Sequence, residues 1–312
     1  MCIRDSYYFQ GTNEDSVIHY TNKVKEFAKA THQPKYYYFA WANRLVTYYL
    51  KTSRTNIALY EVQNMLKEAQ KEDDKTGLSR CYNIMSQIYT IKRFDSMAFE
   101  WRLKEIELTE KYNIENYNIS QTYAQIANYY ISQKKQKEAL RAVEKAISTA
   151  NSSTQQISAK LEYVNYYSKF GDFQAAEKIL KECQIAFEQD KRLESIKKRL
   201  YNIECLYYQQ TRQYQKALEA AEMQEKEEHR LSESILSSSH YRTQGEIYQK
   251  MGNMNMAVKY LQMYINTDDS LKIANEQVAS SEFATLLNVE KLNAEKKELM
   301  LQAQEKELHN KT

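Results

Sequence analysis

The sequence has 312 residues, of which only five are glycine and one is proline, and its 44 basic and 41 acidic side chains give a formal net charge of +3 at pH 7. Average proteins contain about 7% glycine and about 5% proline. Because tight turns between strands need both residues, this composition argues against sandwiches, barrels, propellers and collagen. Doubly wound α/β folds are disfavoured too, since their phosphate loops are built on glycine. The composition therefore predicts an all-α protein.

Charge and hydropathy patterning limit the partners further. Basic and acidic residues are interspersed along the chain without forming a basic stripe, so we expect no nucleic-acid binding by this region. No apolar run approaches the roughly 18–20 residues that a membrane span needs, and no signal peptide opens the chain. The sequence predicts no membrane span within these residues.

The N-terminal residues 1–12 fit no periodic pattern and are predicted to be a leader or a cloning or assembly remnant. If they are a remnant, the native N-terminus and any export signal are missing. Residues from about 13 to 31 have the pattern of the second helix of an incomplete helical hairpin, and Pro34 suits the break that follows it.

A repeated pattern follows along the chain. A large, a small and an aromatic residue stand at i, i+4 and i+7 of a first helix, and an alanine opens a second helix. The small residue allows the two helices to approach closely. The pattern is clearest in two segments: Tyr123, Ala127, Tyr130 and Ala139, and Tyr241, Gly245, Tyr248 and Ala257.

Two of the turns inside the hairpins nearly match in sequence, at 169–173 and 250–254. Gly171 and Gly252 suit the left-handed backbone conformation that ends a helix. Asp172 and Asn253 are predicted to cap the helix that comes next.

This pattern resembles the tetratricopeptide repeat (TPR). The marker of the second helix recurs every 37 to 42 residues, at Ala58, Met97 (a substitution), Ala139, Ala176, Ala217 and Ala257, whereas the usual repeat has 34. The resemblance implies a right-handed α-solenoid of TPR-like helical hairpins within 13–266; helical repeats of another kind are the structural alternative. The six repeats are predicted at 36–72, 78–112, 119–150, 157–190, 197–230 and 237–266.

The last segment, 267–312, is predicted to be a long charged helix. Thr267 to Ser270 suit the cap of a new helix over about 271–309. Hydrophobic residues fall seven apart at Leu287, Ala294, Leu301 and Leu308, so a coiled coil that joins two copies as a homodimer and a solvated single helix both remain open.

No catalytic constellation is found. The histidines (His19, His32, His229, His240 and His309) form no His-Glu-x-x-His motif, and no nucleophile elbow or phosphate loop occurs. The cysteines (Cys2, Cys81, Cys183 and Cys205) form no Cys-x-x-Cys pair, and the last three lie at buried helical phases. We expect no enzyme activity, no cofactor and no metal.

The TPR resemblance implies that a protein or peptide ligand binds in the groove lined by the first helix of each hairpin. The groove positions carried over from the family are Tyr82, Ser86, Tyr89, Asn128, Asn165, Lys169, Arg199, Asn202 and Arg242. Asn128 and Asn165 stand out, because an amide pairs with both the donor and the acceptor of a peptide backbone. The lysine and asparagine clamp of chaperone-binding members is absent. The 27 tyrosines, often doubled, are predicted to place one ring in the core and the next toward the groove or rim.

The repeats followed by the long helix also resemble the sensor region of bacterial transmembrane regulators and histidine kinases. That resemblance implies an output module beyond Thr312 and a location at the periplasmic face of the inner membrane. The alternatives are a passive assembly scaffold and a cytoplasmic peptide-receptor regulator.

Overall fold

The computed structural model describes residues 14–116, 118–231 and 238–309; the predicted leader lies outside them. Within those ranges all regular secondary structure is helical, with no strand, and the helices form two compact units. The first unit contains the described residues up to Phe94 together with those from Lys272 onward. The second unit is Asp95–Leu271.

The helices follow one another through short turns. Those before residue 95 are α1 (Glu14–Ala30), α2 (Pro34–Ala40), a π-helical segment (Trp41–Val46), α3 (Thr47–Lys51), α4 (Thr55–Lys71) and α5 (Lys75–Ile91). They are followed by α6 (Asp95–Tyr112), α7 (Ile119–Ser132), α8 (Gln136–Ser148), α9 (Ser153–Phe170), α10 (Phe173–Gln189), a 3-10 segment (Lys191–Ile196), α11 (Lys197–Gln210), α12 (Tyr214–Leu231), α13 (Ser239–Lys250) and α14 (Met254–His309).

The second unit shows the hairpin stacking that the repeat pattern predicts. Helices pair as α7 with α8, α9 with α10, and α11 with α12, while α9 also packs on both α7 and α11. Thus in these three hairpins the first helices contact one another in series. This regular offset is the arrangement of an α-solenoid.

The alanine markers confirm the repeat pattern, with one shift. The side chains of Ala58, Ala139, Ala176, Ala217 and Ala257 are all buried. Met97, by contrast, is exposed, and its neighbour Ala98 is fully buried. Ala98 therefore occupies the small position of the second repeat, and that repeat carries no substitution there.

The two predicted glycine turns are confirmed. Gly171 has φ 92° and Gly252 has φ 78°. The Asp172 carboxylate accepts a hydrogen bond from the amide of Ala175 at 3.0 Å, and the Asn253 side chain accepts one from the amide of Met256 at 3.2 Å. Within the described residues, seven other positions with positive φ hold a residue other than glycine: His32, Ser53, Asp73, Arg93, Asn113, Lys134 and Arg212.

The predicted helix start at Thr267 to Ser270 is wrong. These residues lie inside α14, which runs without interruption from Met254 to His309. The segment contains no glycine or proline to end a helix, and the Ser270 hydroxyl donates to the Asn266 carbonyl of the preceding turn at 2.9 Å. A serine that bonds within its own helix does not need to start a new one.

The C-terminal part of α14 contacts the start of α4 within the first unit. Glu282, only 3% exposed, accepts hydrogen bonds from the backbone amide of Asn56 at 3.0 Å, its side-chain amide at 2.7 Å and the backbone amide of Ile57 at 3.3 Å. Lys92 donates to the Asn56 side-chain oxygen at 2.6 Å. A carboxylate from 226 residues away therefore caps α4.

Candidate functional site

Two asparagines of the predicted groove meet in the second unit. Asn165 on α9 donates from its Nδ2 to the Oδ1 of Asn128 on α7 at 2.7 Å, and both side chains are half-buried. This bond leaves the Nδ2 of Asn128 and the Oδ1 of Asn165 with no partner among the described residues. One donor group and one acceptor thus stand side by side, which is the complement of a backbone peptide group.

A cavity of about 410 Å³ opens on the same series of first helices. Ala124, one helical turn before Asn128, forms part of its wall, and so do two of the predicted groove residues, Arg199 and Asn202. Asn202 follows Asn165 by the same 37 residues that separate Asn165 from Asn128. Most of the remaining lining residues are of polar type: Ser120, Gln121, Thr154, Gln155, Ser158, Ala159, Ser195, Ile196, Lys198 and Gln224.

Arg199 is held at the cavity wall by Glu162, a residue that the sequence analysis missed. Glu162 on α9 is 1% exposed, and its Oε1 accepts a hydrogen bond from Arg199 on α11. The Oε2 of Glu162 and the Nε of Arg199 have no hydrogen-bond partner among the described residues. Because a buried carboxylate needs a compensating charge, Glu162 fixes the position of the guanidinium. The signal that could have found Glu162 is its 37-residue offset from Arg199, the offset of the asparagine pair.

The other predicted groove residues of the second unit lie apart from the cavity lining. Lys169 is exposed near the end of α9. Arg242 is exposed on α13 and forms an ion pair with Glu246 of the same helix at 3.2 Å. Among the described contacts, neither Lys169 nor Arg242 forms a hydrogen bond with the asparagine pair.

The first unit carries the remaining three predicted residues, all on α5. Tyr82 and Tyr89 are half-buried, and the Tyr89 ring meets Phe94 edge to face at 6.4 Å between centroids. Ser86 is 1% exposed, and its hydroxyl donates to the Asn83 carbonyl at 2.7 Å. Ser86 is therefore packed inside the unit and not open to a ligand.

The doubled tyrosines largely follow the predicted division. In three pairs the buried rings are Tyr49, Tyr166 and Tyr207, and their half-buried neighbours are Tyr48, Tyr167 and Tyr208. In the fourth pair both Tyr129 and Tyr130 are half-buried, and Phe99 stacks on Tyr129 at 4.0 Å between centroids.

The described cysteines belong to the core. Cys81, Cys183 and Cys205 are free and buried, and burial raises the pKa of the Cys81 thiol to about 12 and that of the Cys183 thiol to about 11. They are core residues at the predicted phases. Among the described residues, no group of three His, Cys, Asp or Glu side chains is placed to hold a metal ion. In the same part of the chain no helix is long and apolar enough to cross a membrane.

Comparison with known proteins places the fold. No family model and no curated protein matches the sequence. Among solved structures, a TPR protein from Parabacteroides merdae is 15% identical, with a TM-score of 0.54 over 90% of this chain and 97% of the other. The apo form of RapI is 15% identical, with a TM-score of 0.61 over 85% and 95% of the two chains.

A third similar structure is NprR in complex with its cognate peptide NprX. It is 13% identical, with a TM-score of 0.59 over 88% of this chain and 78% of that one. Identities this low show the fold alone. The chain is an all-α protein with a TPR-like fold, as the repeat pattern predicts.

Proposed function

We propose that this protein is a non-enzymatic module that binds an extended peptide or protein segment on the first-helix face of its second unit. The observation that carries the proposal is the Asn128–Asn165 hydrogen bond, which leaves one amide donor and one amide acceptor unused on neighbouring side chains. In this proposal the Nδ2 of Asn128 donates to a peptide carbonyl, and the Oδ1 of Asn165 accepts from a peptide amide.

The cavity next to this pair selects which side chain of the bound segment is accepted. Arg199 and Lys198 lie on its wall among serine, threonine and glutamine side chains. Glu162 holds Arg199 in place, so the guanidinium has less side-chain freedom to lose on binding. Such a lining suits a polar or acidic side chain of the bound segment. The likeness to NprR, which is solved with its cognate peptide, supports a peptide as the ligand.

We further propose that this chain is the sensory or interaction region of a bacterial signalling or transcription regulator. The second helix of the last hairpin is the first part of α14, so the hairpin and the C-terminal segment share one helix. Leu287, Ala294 and Leu301 are exposed on α14 and offer a seam for dimerisation. Switching requires that the ligand binds two conformations with different affinity.

The alternative is a cytoplasmic peptide-receptor regulator, and the likeness to NprR, which is solved with its cognate peptide, supports the peptide-receptor part of it. A passive scaffold binds its partner without any conformational response. Small-angle scattering of the full chain, with and without saturating ligand, separates the scaffold from both regulators. A changed profile supports a regulator, and an unchanged profile supports the scaffold.

The binding claim is tested with peptides selected from a random display library against the full chain. Calorimetry with one selected peptide should show that Asn128→Ala and Asn165→Ala each weaken binding by about 1 kcal/mol or more. Because the two amides touch, the losses should not add in the double variant. Gln136→Ala, an exposed amide on α8, is the matched control and should bind like the wild type. Wild-type affinity in both asparagine variants would contradict the proposal.

A further inference from the structure

The turns inside the hairpins of the second unit are rich in positive charge. The segments that join the two helices of each hairpin, with one helical turn on either side, are 129–139, 167–176, 207–217 and 247–257. Together they contain seven basic side chains and two acidic ones. The basic residues are Lys134, Lys135 and Lys137 in the first segment, Lys169 in the second, Arg212 and Lys216 in the third, and Lys250 in the fourth. We call these seven residues the basic edge.

The four segments lie side by side, although about 40 residues separate each from the next in the sequence. Near the ends of the first helices, Tyr130 and Tyr167 share one core cluster, and Tyr167 and Tyr208 share the next. The Nζ of Lys250, at the end of α13, donates to the Oε1 of Gln209, at the end of α11, at 3.2 Å. Because packed helices lie about 8–10 Å apart, the segments form one row roughly 30 Å long.

The charges of the basic edge are accessible and are not neutralised by neighbouring carboxylates. All seven side chains are exposed, and none of them forms an ion pair among the described residues. Of the two acidic side chains in the row, Glu138 is exposed, and Asp172 caps α10 by accepting from the amide of Ala175. Glu177, one turn further into α10, is paired with Lys181 of the same helix at 2.7 Å. Since the Debye length is about 10 Å at 0.1 M salt, cations on neighbouring turns act together.

Cations at the other end of the same hairpins are arranged differently. Arg192, after α10, is paired with Asp190 at 2.8 Å, and Lys145, near the end of α8, is paired with Glu110 at 3.2 Å. Ion pairs of this kind cancel much of the charge at short range. The contrast shows that the basic edge has kept its charge available for a partner.

Three large apolar side chains stand exposed among these cations. Phe173 is 39% exposed, Met251 40% and Met254 57%, and they lie in the second and fourth segments of the row. A membrane surface accommodates both kinds of side chain. Its anionic headgroups attract lysine and arginine, and the boundary between headgroups and acyl chains accepts phenylalanine and methionine.

We propose that the basic edge docks the protein on a membrane surface that contains anionic lipids. Exposed, flexible cations on separate turns suit a diffuse layer of charge better than the fixed pattern of one protein partner. The exposed apolar side chains favour a bilayer over a nucleic-acid backbone, which offers phosphates without an apolar layer. The seven residues include Lys169, predicted for the groove, but none from the Asn128–Asn165 pair or the lining of its cavity. Docking is therefore independent of the peptide binding proposed above.

The probe is a unilamellar vesicle of phosphatidylcholine with about 30% phosphatidylglycerol, compared with a vesicle of phosphatidylcholine alone. Flotation of the full chain with each vesicle measures the bound fraction at about 0.05 M and about 0.5 M salt. The expected result is binding to the anionic vesicle at low salt, release at high salt, and no binding to the neutral vesicle. Equal binding to the two vesicles, or binding to neither, overturns the proposal.

A charge-matched pair of triple variants tests whether the basic edge is the surface involved. Replacing Lys134, Lys135 and Lys137 by glutamine should lower the affinity for the anionic vesicle at least tenfold, because each basic residue near such a surface contributes about fivefold. The control removes the same charge from three exposed lysines toward the other end of the hairpins: Lys111→Gln, Lys191→Gln and Lys226→Gln. The control should bind within about twofold of the wild type. Equal losses in the two triple variants would show that net charge alone drives binding, and would refute the basic edge.

A second pair of variants separates a bilayer from a soluble acidic partner. Met254→Gln keeps the charge and should weaken vesicle binding about threefold or more, whereas Ile185→Gln, 52% exposed on α10, should have no effect. All substituted side chains are exposed, so thermal unfolding should match the wild type. If Met254→Gln binds vesicles like the wild type, and poly-L-glutamate at equal charge displaces the wild type from them, the partner is an acidic protein and the proposal fails.

Discussion

Gly77 is the position where the close packing of the first unit can be tested most sharply. It lies in the first turn of α5, where the Asp74 carboxylate accepts a hydrogen bond from its amide at 2.8 Å. A Cβ atom at Gly77 would lie 2.6 Å from the Cε2 of Tyr38, 2.7 Å from its Cζ and 2.9 Å from its Cδ2. Carbon atoms in normal contact are about 3.5 to 4.0 Å apart. Gly77→Ala therefore forces the Tyr38 ring or α5 to move by about an ångström.

The magnitude follows from two opposing effects. Overpacking a filled core costs about 1 to 3 kcal/mol, and the upper end applies because the Tyr38 ring is only 1% exposed. Replacing glycine by alanine in a helix recovers about 1 kcal/mol. We expect a net loss of about 2 kcal/mol in the free energy of unfolding of the first unit.

The assay uses the two tryptophans, one in each unit. In a Trp101→Phe background, the fluorescence of Trp41 reports urea unfolding of the first unit alone. Gly77→Ala should lower the unfolding midpoint, and in a Tyr38→Leu background the same substitution should cost much less, because the smaller side chain makes room for the Cβ. An unchanged or higher midpoint in the presence of Tyr38 would refute the packing described here.

Three further predictions concern stability. Lys134→Gly should raise the free energy of unfolding by about 1 kcal/mol in thermal or urea unfolding, because it relieves a left-handed residue (φ 57°); a loss would contradict this. Glu282→Ala should cost about 1 to 2 kcal/mol by uncapping α4, with faster hydrogen exchange at Asn56, whereas the exposed Glu298→Ala should be neutral; equal effects would refute the cap. Burial raises the pKa of Glu204, so in the folded state it binds its proton more tightly than in the unfolded chain, and stability falls as pH rises above its ordinary pKa. Glu204→Gln should therefore raise the melting temperature at pH 7 and lose that advantage in acid; the same difference at both pH values would contradict the burial effect.

Local packing explains why much of the fold could be predicted from the sequence. A buried alanine, a glycine that ends a helix and an aspartate that caps the next one each act within a single hairpin, so each can be recognised from the local sequence wherever it occurs. This is why the turns at Gly171 and Gly252 and the buried Ala139 were predicted correctly. The second repeat shows the limit, because the pattern there tolerates a shift of one residue, from Ala98 to Met97.

Contacts between distant segments cannot be recognised from the local sequence. Glu282 is one of many glutamates on a charged helix, and only the fold brings it to Asn56. The uninterrupted course of α14 was missed because Ser270 has the residue type of a cap but bonds within its own helix. For the candidate site, the residue types on the groove face were predictable, whereas the Asn128–Asn165 contact and the Glu162–Arg199 ion pair depend on how neighbouring hairpins are offset.

The most direct test of the central claim observes the side-chain amide of Asn128 itself. In the ¹⁵N-labelled full chain saturated with a selected peptide, the Nδ2 protons of Asn128 should shift downfield and show nuclear Overhauser contacts to the peptide backbone. The Asn165→Ala variant should lose most of that shift. If the peptide binds while the Asn128 side-chain resonances stay where they are in the free protein, the asparagine pair is not the binding site.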